Sequence, residues 1–191
     1  ASCSKYQGDW GESTSRSVTI ETKSYTTWTY FSFEKGILGA YKENEFDYKN
    51  NAEWDLAFHR WDVRTNCGES GSGKGGAYQT QYGGPLHVDI WSVMPSKGEF
   101  VEDAHLKTYM APPSMDPGAP AEQRIEVPAN PVLSKWLEVQ MSSIPPKYVI
   151  LDKAFVVRTA SGKHAAIKFT NYMNDKAVKG YASFDYVYPL D

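Results

Sequence analysis

Methionine is the residue type whose placement most suggests chemistry in this sequence. Met110 and Met115 bracket a polar, proline-containing stretch at residues 111–114, where a thioether has little core to fill. Met141 follows the run at residues 136–140 and precedes a second segment broken by prolines. Thioether sulfur is a soft ligand that suits a soft metal ion or a haem iron. Two such loops at the mouth of a β-structure could clamp that iron, whereas methionine at a pocket rim also serves general apolar binding.

The glycine-rich stretch at residues 68–75 imitates a phosphate-binding loop, with Gly68, Gly73 and Lys74 in register. The next position must supply a hydroxyl group to magnesium, but it is Gly75, and no helical pattern follows. The stretch therefore predicts a turn and argues against nucleotide binding.

The remaining polar residues do not form a catalytic pattern. His59, His87, His105 and His164 are scattered, with no pair at the i, i+4 spacing of a helical metal site, so each is interpreted as a strand or surface residue. No serine lies in a nucleophile-elbow pattern, and nothing singles out two of the 23 acidic residues as a catalytic pair. The sequence therefore predicts a protein that is not an enzyme.

Composition narrows the class of protein further. The 191 residues suit one domain, and 41% hydrophobic with 23% charged residues is ordinary for a soluble globular protein. A net charge of −3 argues against a nucleic-acid binder, and no apolar run is long enough for a membrane span. The aromatic content of 14% favours strands over helices.

The elements that must position the methionines follow from alternation. Strand patterns occupy residues 17–33, 54–63 and 86–91, and a change of phase across His59 and Arg60 predicts a β-bulge. Prolines make residues 110–121 an irregular surface loop. The segment at 132–138 suits a short helix, with a strand from Trp136 as the alternative. Three strands between residues 155 and 188 form an antiparallel meander, so the fold prediction is all-β, a sandwich or a curved open barrel.

The two cysteines have different interpretations. Ala1-Ser2-Cys3 resembles the end of a bacterial lipoprotein signal, which predicts a lipid anchor at Cys3; the alternative is a processing or cloning remnant. Residues 1–16 are then a flexible tether, and residues 17–191 form a single domain. Cys67 is expected to be a semi-buried free thiol.

A family resemblance joins these observations. Residues 51–77, with the pattern Trp-Asp-x-Ala-x-His followed by Asn-Cys-Gly-x-Ser-Gly-x-Gly-x-Gly-Gly, resemble the central signature of the HmuY-like haem-binding lipoproteins of Bacteroidetes. Shorter blocks at 28–33, 136–138, 155–158 and 181–189 resemble the same family. The resemblance implies an all-β haemophore that holds haem between loops. It also implies transfer of the haem to a TonB-dependent outer-membrane receptor, host haemoproteins as further partners, and a location at the outer membrane, at the cell surface or outside the cell.

The resemblance also suggests which residues bind the iron. The founding member uses two histidines, and no histidine of this sequence falls at either position. Carried along from residues 136–138, the second ligand is Met141. Carried along from Tyr109 and Met110, the first ligand is Met115, with Met110 as the competing candidate. The resemblance therefore implies haem ligated by two methionines.

Ligation by two thioethers has a chemical consequence. Neutral sulfur ligands are softer than imidazole and favour ferrous over ferric iron. The haem propionates need cations, and Lys107, Arg124 and Lys147 lie near the ligands in sequence. The alternative function, from a different class, is a surface β-sandwich module that binds glycan or protein through its aromatic residues without haem.

Overall fold

The computed structural model describes residues 15–86 and 99–190. Cys3, His87, Met94 and most of the strand predicted at 86–91 lie outside the described residues. Within those residues the chain forms short 3-10 helices at Tyr48–Asn50, Gly68–Ser70 and Leu133–Trp136. It also forms thirteen strands: β1 Arg16–Glu21, β2 Thr27–Ser32, β3 Gly36–Lys42, β4 Leu56–His59, β5 Asp62–Thr65, β6 Gly76–Gln79, β7 Ala104–Thr108, β8 Ile125–Ala129, β9 Leu137–Gln140, β10 Lys147–Ile150, β11 Phe155–Arg158, β12 His164–Met173 and β13 Lys179–Val187.

Two antiparallel sheets form the body of the molecule. The larger sheet has the strand order β1-β13-β12-β11-β6, and its centre is the meander predicted for the last third of the sequence. The smaller sheet has the order β3-β2-β4-β5. The all-β antiparallel fold is therefore confirmed.

Aromatic and branched side chains from both sheets meet in one core. Phe31 of β2 contacts Phe184 of β13 edge to face, with ring centroids 5.6 Å apart, and Phe58 of β4 stacks on the same ring at 5.6 Å. Large rings bury much apolar surface each, which explains how short strands give a stable two-sheet packing. This cluster runs from Ile20 in β1 to Trp136 beside β9.

The bulge predicted across His59 and Arg60 is wrong. The chain instead makes a two-residue hairpin turn, because His59 at the end of β4 pairs with Asp62 at the start of β5. Arg60 adopts the left-handed conformation, with φ of 50°. A tight turn changes the alternation phase in the same way as a bulge, so the sequence pattern alone does not separate the two.

Two further hairpins stand apart from both sheets and carry the candidate methionines. Strands β7 and β8 pair from Ala104 with Ala129 to Thr108 with Ile125, and the chain between them, residues 109–124, is irregular as predicted. Strands β9 and β10 form the other two-stranded sheet. The segment between the hairpins realises both alternatives, a 3-10 helix at Leu133–Trp136 followed directly by β9. No helix in the described ranges is long and apolar enough to cross a membrane.

Candidate functional site

Met115 lies in the long loop between β7 and β8, and its side chain is 93% exposed. The amide group of Gln123 closes this loop across its base. Ser114 N–H donates to Gln123 Oε1 at 2.7 Å, and Gln123 Nε2 donates to the Ser114 carbonyl at 2.9 Å. Met115 is therefore the first residue after this pair of hydrogen bonds, and its side chain packs into no core.

Met141 is the first residue after β9, and it is 61% exposed. The hairpin pairs from Leu137 with Ile150 to Gln140 with Lys147, so the loop holds only residues 141–146. Ile144 in the same loop is fully exposed. Met141 thus lies in a short loop beside an apolar side chain that no core covers.

The two hairpins share an anchored base at Asn130. Its side chain donates to Asp103, the residue before β7, at 3.0 Å, and its Oδ1 accepts from the N–H groups of Val132 and Leu133. Its own N–H donates to the Val63 carbonyl in β5. A single amide therefore joins the start of β7, the end of β8 and the 3-10 helix that leads to β9.

Asp103 is the centre of this base. Its buried carboxylate accepts from Thr65 N–H and Oγ1 in β5 and from Ser70 Oγ, besides Asn130. Burial raises the pKa of this carboxyl to about 6, while the surrounding donors act in the opposite direction. Cys67, 1% exposed as a free thiol, lies beside this carboxylate, and burial raises its pKa to about 11. The prediction of a free thiol at Cys67 is confirmed, but the thiol is fully buried rather than semi-buried.

The second hairpin is held by tryptophan. Trp136 is fully buried, stacks on Phe169 of β12 at 4.3 Å and donates its indole N–H to the Trp61 carbonyl at 2.8 Å. Its carbonyl accepts from Leu151 N–H just after β10. Both methionine loops are therefore carried on short arms whose bases are fixed in the core.

Met110 has a different environment from the other two methionines. It is half-buried and packs against the aromatic cluster of Trp28, Tyr30, Tyr48 and Trp54, as Leu106 of β7 does. Met110 therefore fills space beside this cluster, unlike the expectation that a thioether at this end of the loop has little core to fill.

The histidines in the described part of the chain do not assemble a metal site. His59 is fully buried, and its ring nitrogens lie 3.0 Å from Asp62 Oδ2 and 2.7 Å from the Tyr25 carbonyl oxygen. His105 is exposed and lies 3.9 Å from Glu69. Among the described residues, no group of three His, Cys, Asp or Glu side chains could hold a metal ion.

One open cleft among the described residues is lined by four carboxylates and one lysine, Lys49, and so carries the wrong charge for haem. Its volume is about 570 Å³, and it lies between residues 43–49 and the β7–β8 hairpin. Glu43, Glu45, Asp47 and Glu126 line it. Carboxylates repel the propionates of a porphyrin, so this cleft is a poor haem pocket.

Sequence reasoning did not find the buried arginine, Arg64, that organises the aromatic cluster around Trp28. Arg64 in β5 is fully buried and lies 3.6 Å over the Trp28 ring and 4.3 Å over the Tyr48 ring. It donates to Glu43 and to the Tyr30 hydroxyl. An arginine in an alternating strand is normally assigned to the solvent face, so only the surrounding aromatic residues could have signalled its burial.

Comparison with known proteins decides the family. A family model described as HmuY protein matches residues 24–186. The chain belongs to the HmuY family. This is a binding and carrier family, and haem binding is the property that membership supports. The resemblance seen in the sequence is therefore confirmed.

Solved structures of HmuY relatives agree with this assignment. A Bacteroides vulgatus protein described as HmuY-like and haem-binding is 31% identical, with 93% of each chain covered and a TM-score of 0.70. A Bacteroides fragilis protein described as a lipoprotein is 31% identical, with 94% of each chain covered and a TM-score of 0.73. The apo HmuY analogue of Tannerella forsythia is 26% identical, over 93% of this chain and 96% of that one, with a TM-score of 0.68. No curated protein matches the chain at a significant level.

Proposed function

We propose that this chain is a haemophore-like protein that binds haem iron between the thioethers of Met115 and Met141. The observation that carries the proposal is the exposure of both sulfur-bearing side chains in the loops of two hairpins with a common anchored base. A methionine that fills a core is buried, as Met110 partly is, whereas these two have no packing role to explain them. Membership of the HmuY family supplies the ligand class.

Haem supplies an iron centre whose two axial positions accept soft ligands. The chain's own contribution is to present the two sulfurs in the loops of the two hairpins. Because thioethers favour the lower oxidation state, the proposed preference is for ferrous haem. Methionine does not protonate in mild acid, so its ligation is not lost by titration of the ligand itself.

The proposed destination of the haem is a TonB-dependent outer-membrane receptor, with host haemoproteins as a source. A lipid anchor at Cys3 would keep the protein at the outer membrane, and one relative is described as a lipoprotein. The same binding chemistry serves a secreted form.

The test compares three methionine variants in parallel titrations with haem and dithionite. Met141→Ala and Met115→Ala are expected to lose the six-coordinate ferrous spectrum, because each removes one axial ligand. Met110→Ala is the matched control and is expected to retain that spectrum, since its sulfur packs against aromatic rings. Retention of the spectrum by Met141→Ala would remove that residue from the site. A loss in Met110→Ala together with retention in Met115→Ala would make Met110 the first ligand.

A further inference from the structure

Two of the three cations that lie near the methionine loops in sequence share one carboxylate. Lys107 Nζ lies 3.6 Å from Glu122, and Arg124 donates to the same carboxylate from both Nε and Nη2 at 3.0 and 2.9 Å. The third, Lys147, begins β10 directly after the Met141 loop.

Two other cations lie near the stacked rings of Tyr148, in the Met141 hairpin, and Tyr172, in β12. The Arg60 guanidinium lies 4.4 Å over the Tyr25 ring and 5.9 Å from the centre of the Tyr172 ring. Lys179 Nζ lies 4.9 Å over the ring of Tyr148. Neither cation forms an ion pair with a carboxylate within residues 15–86 and 99–190.

Tyr148 connects these cations to the proposed ligand. It belongs to β10 and pairs with Val139, two residues before Met141. Its ring stacks on Tyr172 at 5.8 Å, and Tyr172 in turn faces Arg60. The two cations therefore flank the hairpin that carries Met141.

One buried donor of Arg60 lacks a hydrogen-bond partner in the described part of the chain. It is Arg60 Nε, whereas Arg60 Nη1 donates to the Lys23 carbonyl at 2.9 Å. Burial raises the pKa of Tyr172 to about 12, while Arg60 and a hydrogen bond from Thr22 act in the opposite direction, so the Tyr172 hydroxyl keeps its proton at neutral pH. Buried donors in proteins are almost always paired. The open Nε donor of Arg60 therefore fits an acceptor brought by a ligand.

The backbone at Arg60 is a further anomaly. Its φ of 50° lies in the left-handed region, at a two-residue turn where glycine or asparagine is the usual choice. Unlike glycine, arginine has a β-carbon, which is strained against the backbone in this conformation. Such positions are retained when a side chain is required, and they cluster at ligand sites.

We propose that Arg60, assisted by Lys179, binds a propionate carboxylate of the haem whose iron Met141 ligates. This inference rests on the proposed function. A guanidinium matches a carboxylate with paired donors, and a half-buried one is screened less than a surface lysine. Lys179, 4.9 Å from the centre of the Tyr148 ring, supplies a second positive charge.

The test uses Arg60→Gly, which removes the side chain and relieves the left-handed backbone. Wild-type and variant proteins are titrated with ferrous haem and with its propionate dimethyl ester in the same detergent buffer. The wild type is expected to prefer haem over the ester, and Arg60→Gly is expected to bind haem about tenfold to a hundredfold more weakly while its affinity for the ester stays the same. The thermal midpoint of the apo variant is recorded to confirm that it folds.

Ala177→Gly is the matched control, because Ala177 also has a positive φ, of 60°, and carries no charge. It is expected to leave both affinities unchanged. Equal weakening of haem and ester by Arg60→Gly, or no weakening of haem, would overturn the role of Arg60. A wild-type protein that binds neither porphyrin would overturn the proposed function itself and this inference with it.

Discussion

At the scale of single residues, the stability of the protein depends most on the interactions of the buried Arg64 guanidinium. It is enclosed by two aromatic rings, and its remaining donors reach the Glu43 carboxylate, the Tyr30 hydroxyl and the Pro128 carbonyl. A buried cation is tolerated when each of its donors has a partner and its charge is balanced. The aromatic cluster around Trp28 thus depends on one carboxylate at its edge.

We expect Glu43→Gln to lower the free energy of unfolding by about 2–3 kcal/mol, because it leaves the Arg64 charge unbalanced. The value lies below that of a fully buried pair, since the Glu43 side chain is 30% exposed. Urea denaturation followed by tryptophan fluorescence measures the loss. Glu126→Gln, in an exposed carboxylate of the same cleft, is the control and should change the midpoint little. Equal midpoints for the two variants would contradict the role given to Glu43.

The residue scale is also where sequence reasoning reached part of the candidate site. The prolines around Met115 and Met141 correctly predicted exposed loops, because proline interrupts strands whatever surrounds it. The burial of Arg64 and the turn conformation of Arg60 were not predictable in this way. Both depend on which rings and carbonyl groups approach from distant segments, and those contacts are absent from local alternation.

At the scale of elements, the buried side chain of Asn66 explains why residues 68–75 are rich in glycine. Its fully buried side chain donates to the carbonyls of Asn51 and Trp54 and accepts from Gly73 N–H at 3.2 Å. The loop wraps closely around this amide, and a β-carbon on Gly71 would collide with Asn66 Oδ1. The signature that resembles a phosphate-binding loop is thus a packing device that leads from β5 to β6.

Gly71→Ala is expected to destabilise the protein by about 1–3 kcal/mol, since the methyl group must displace the Asn66 amide from its hydrogen bonds. Gly118→Ala is the comparison, because a β-carbon added to Gly118 in the exposed loop would meet no atom within 4 Å. Thermal unfolding of both variants measures the difference. Similar midpoints would show that the loop yields without cost and that Asn66 does not hold it.

The order of the strands along the chain is easier to predict from the sequence than the conformation of the turns between them. The meander of β11, β12 and β13 could be predicted because long alternating runs are separated by short polar turns. The change of phase across His59 and Arg60 predicts a bulge at the junction of β4 and β5, and a left-handed arginine is not what a turn pattern indicates.

At the scale of the whole molecule, the common core ties the two sheets into one packed body. Phe31, Phe58 and Phe184 join β2, β4 and β13, so the sheets are expected to unfold together. A ligand that binds only the folded protein raises its stability in proportion to the logarithm of its affinity. Haem binding is therefore measurable as a shift in global unfolding.

We expect ferrous haem to raise the thermal midpoint more than ferric haem at the same concentration, because two thioethers favour Fe(II). Each tenfold gain in affinity adds about 1.4 kcal/mol once the ligand is in excess. Differential scanning calorimetry under dithionite and under air makes the comparison. The double variant Met115→Ala, Met141→Ala should show much smaller shifts in both conditions. An equal or larger shift with ferric haem would contradict ligation by two sulfurs.

The unequal lengths of the two methionine loops give the two proposed ligands unequal entropic costs. Residues 141–146 close a short connection, whereas residues 109–124 form a long one, and immobilising a longer segment removes more conformational freedom. With the proposed ligands, Met141 would hold the iron at the smaller cost and Met115 would be the ligand that yields more readily. A receptor that competes only for the longer loop would therefore leave haem held by one sulfur and ready to move.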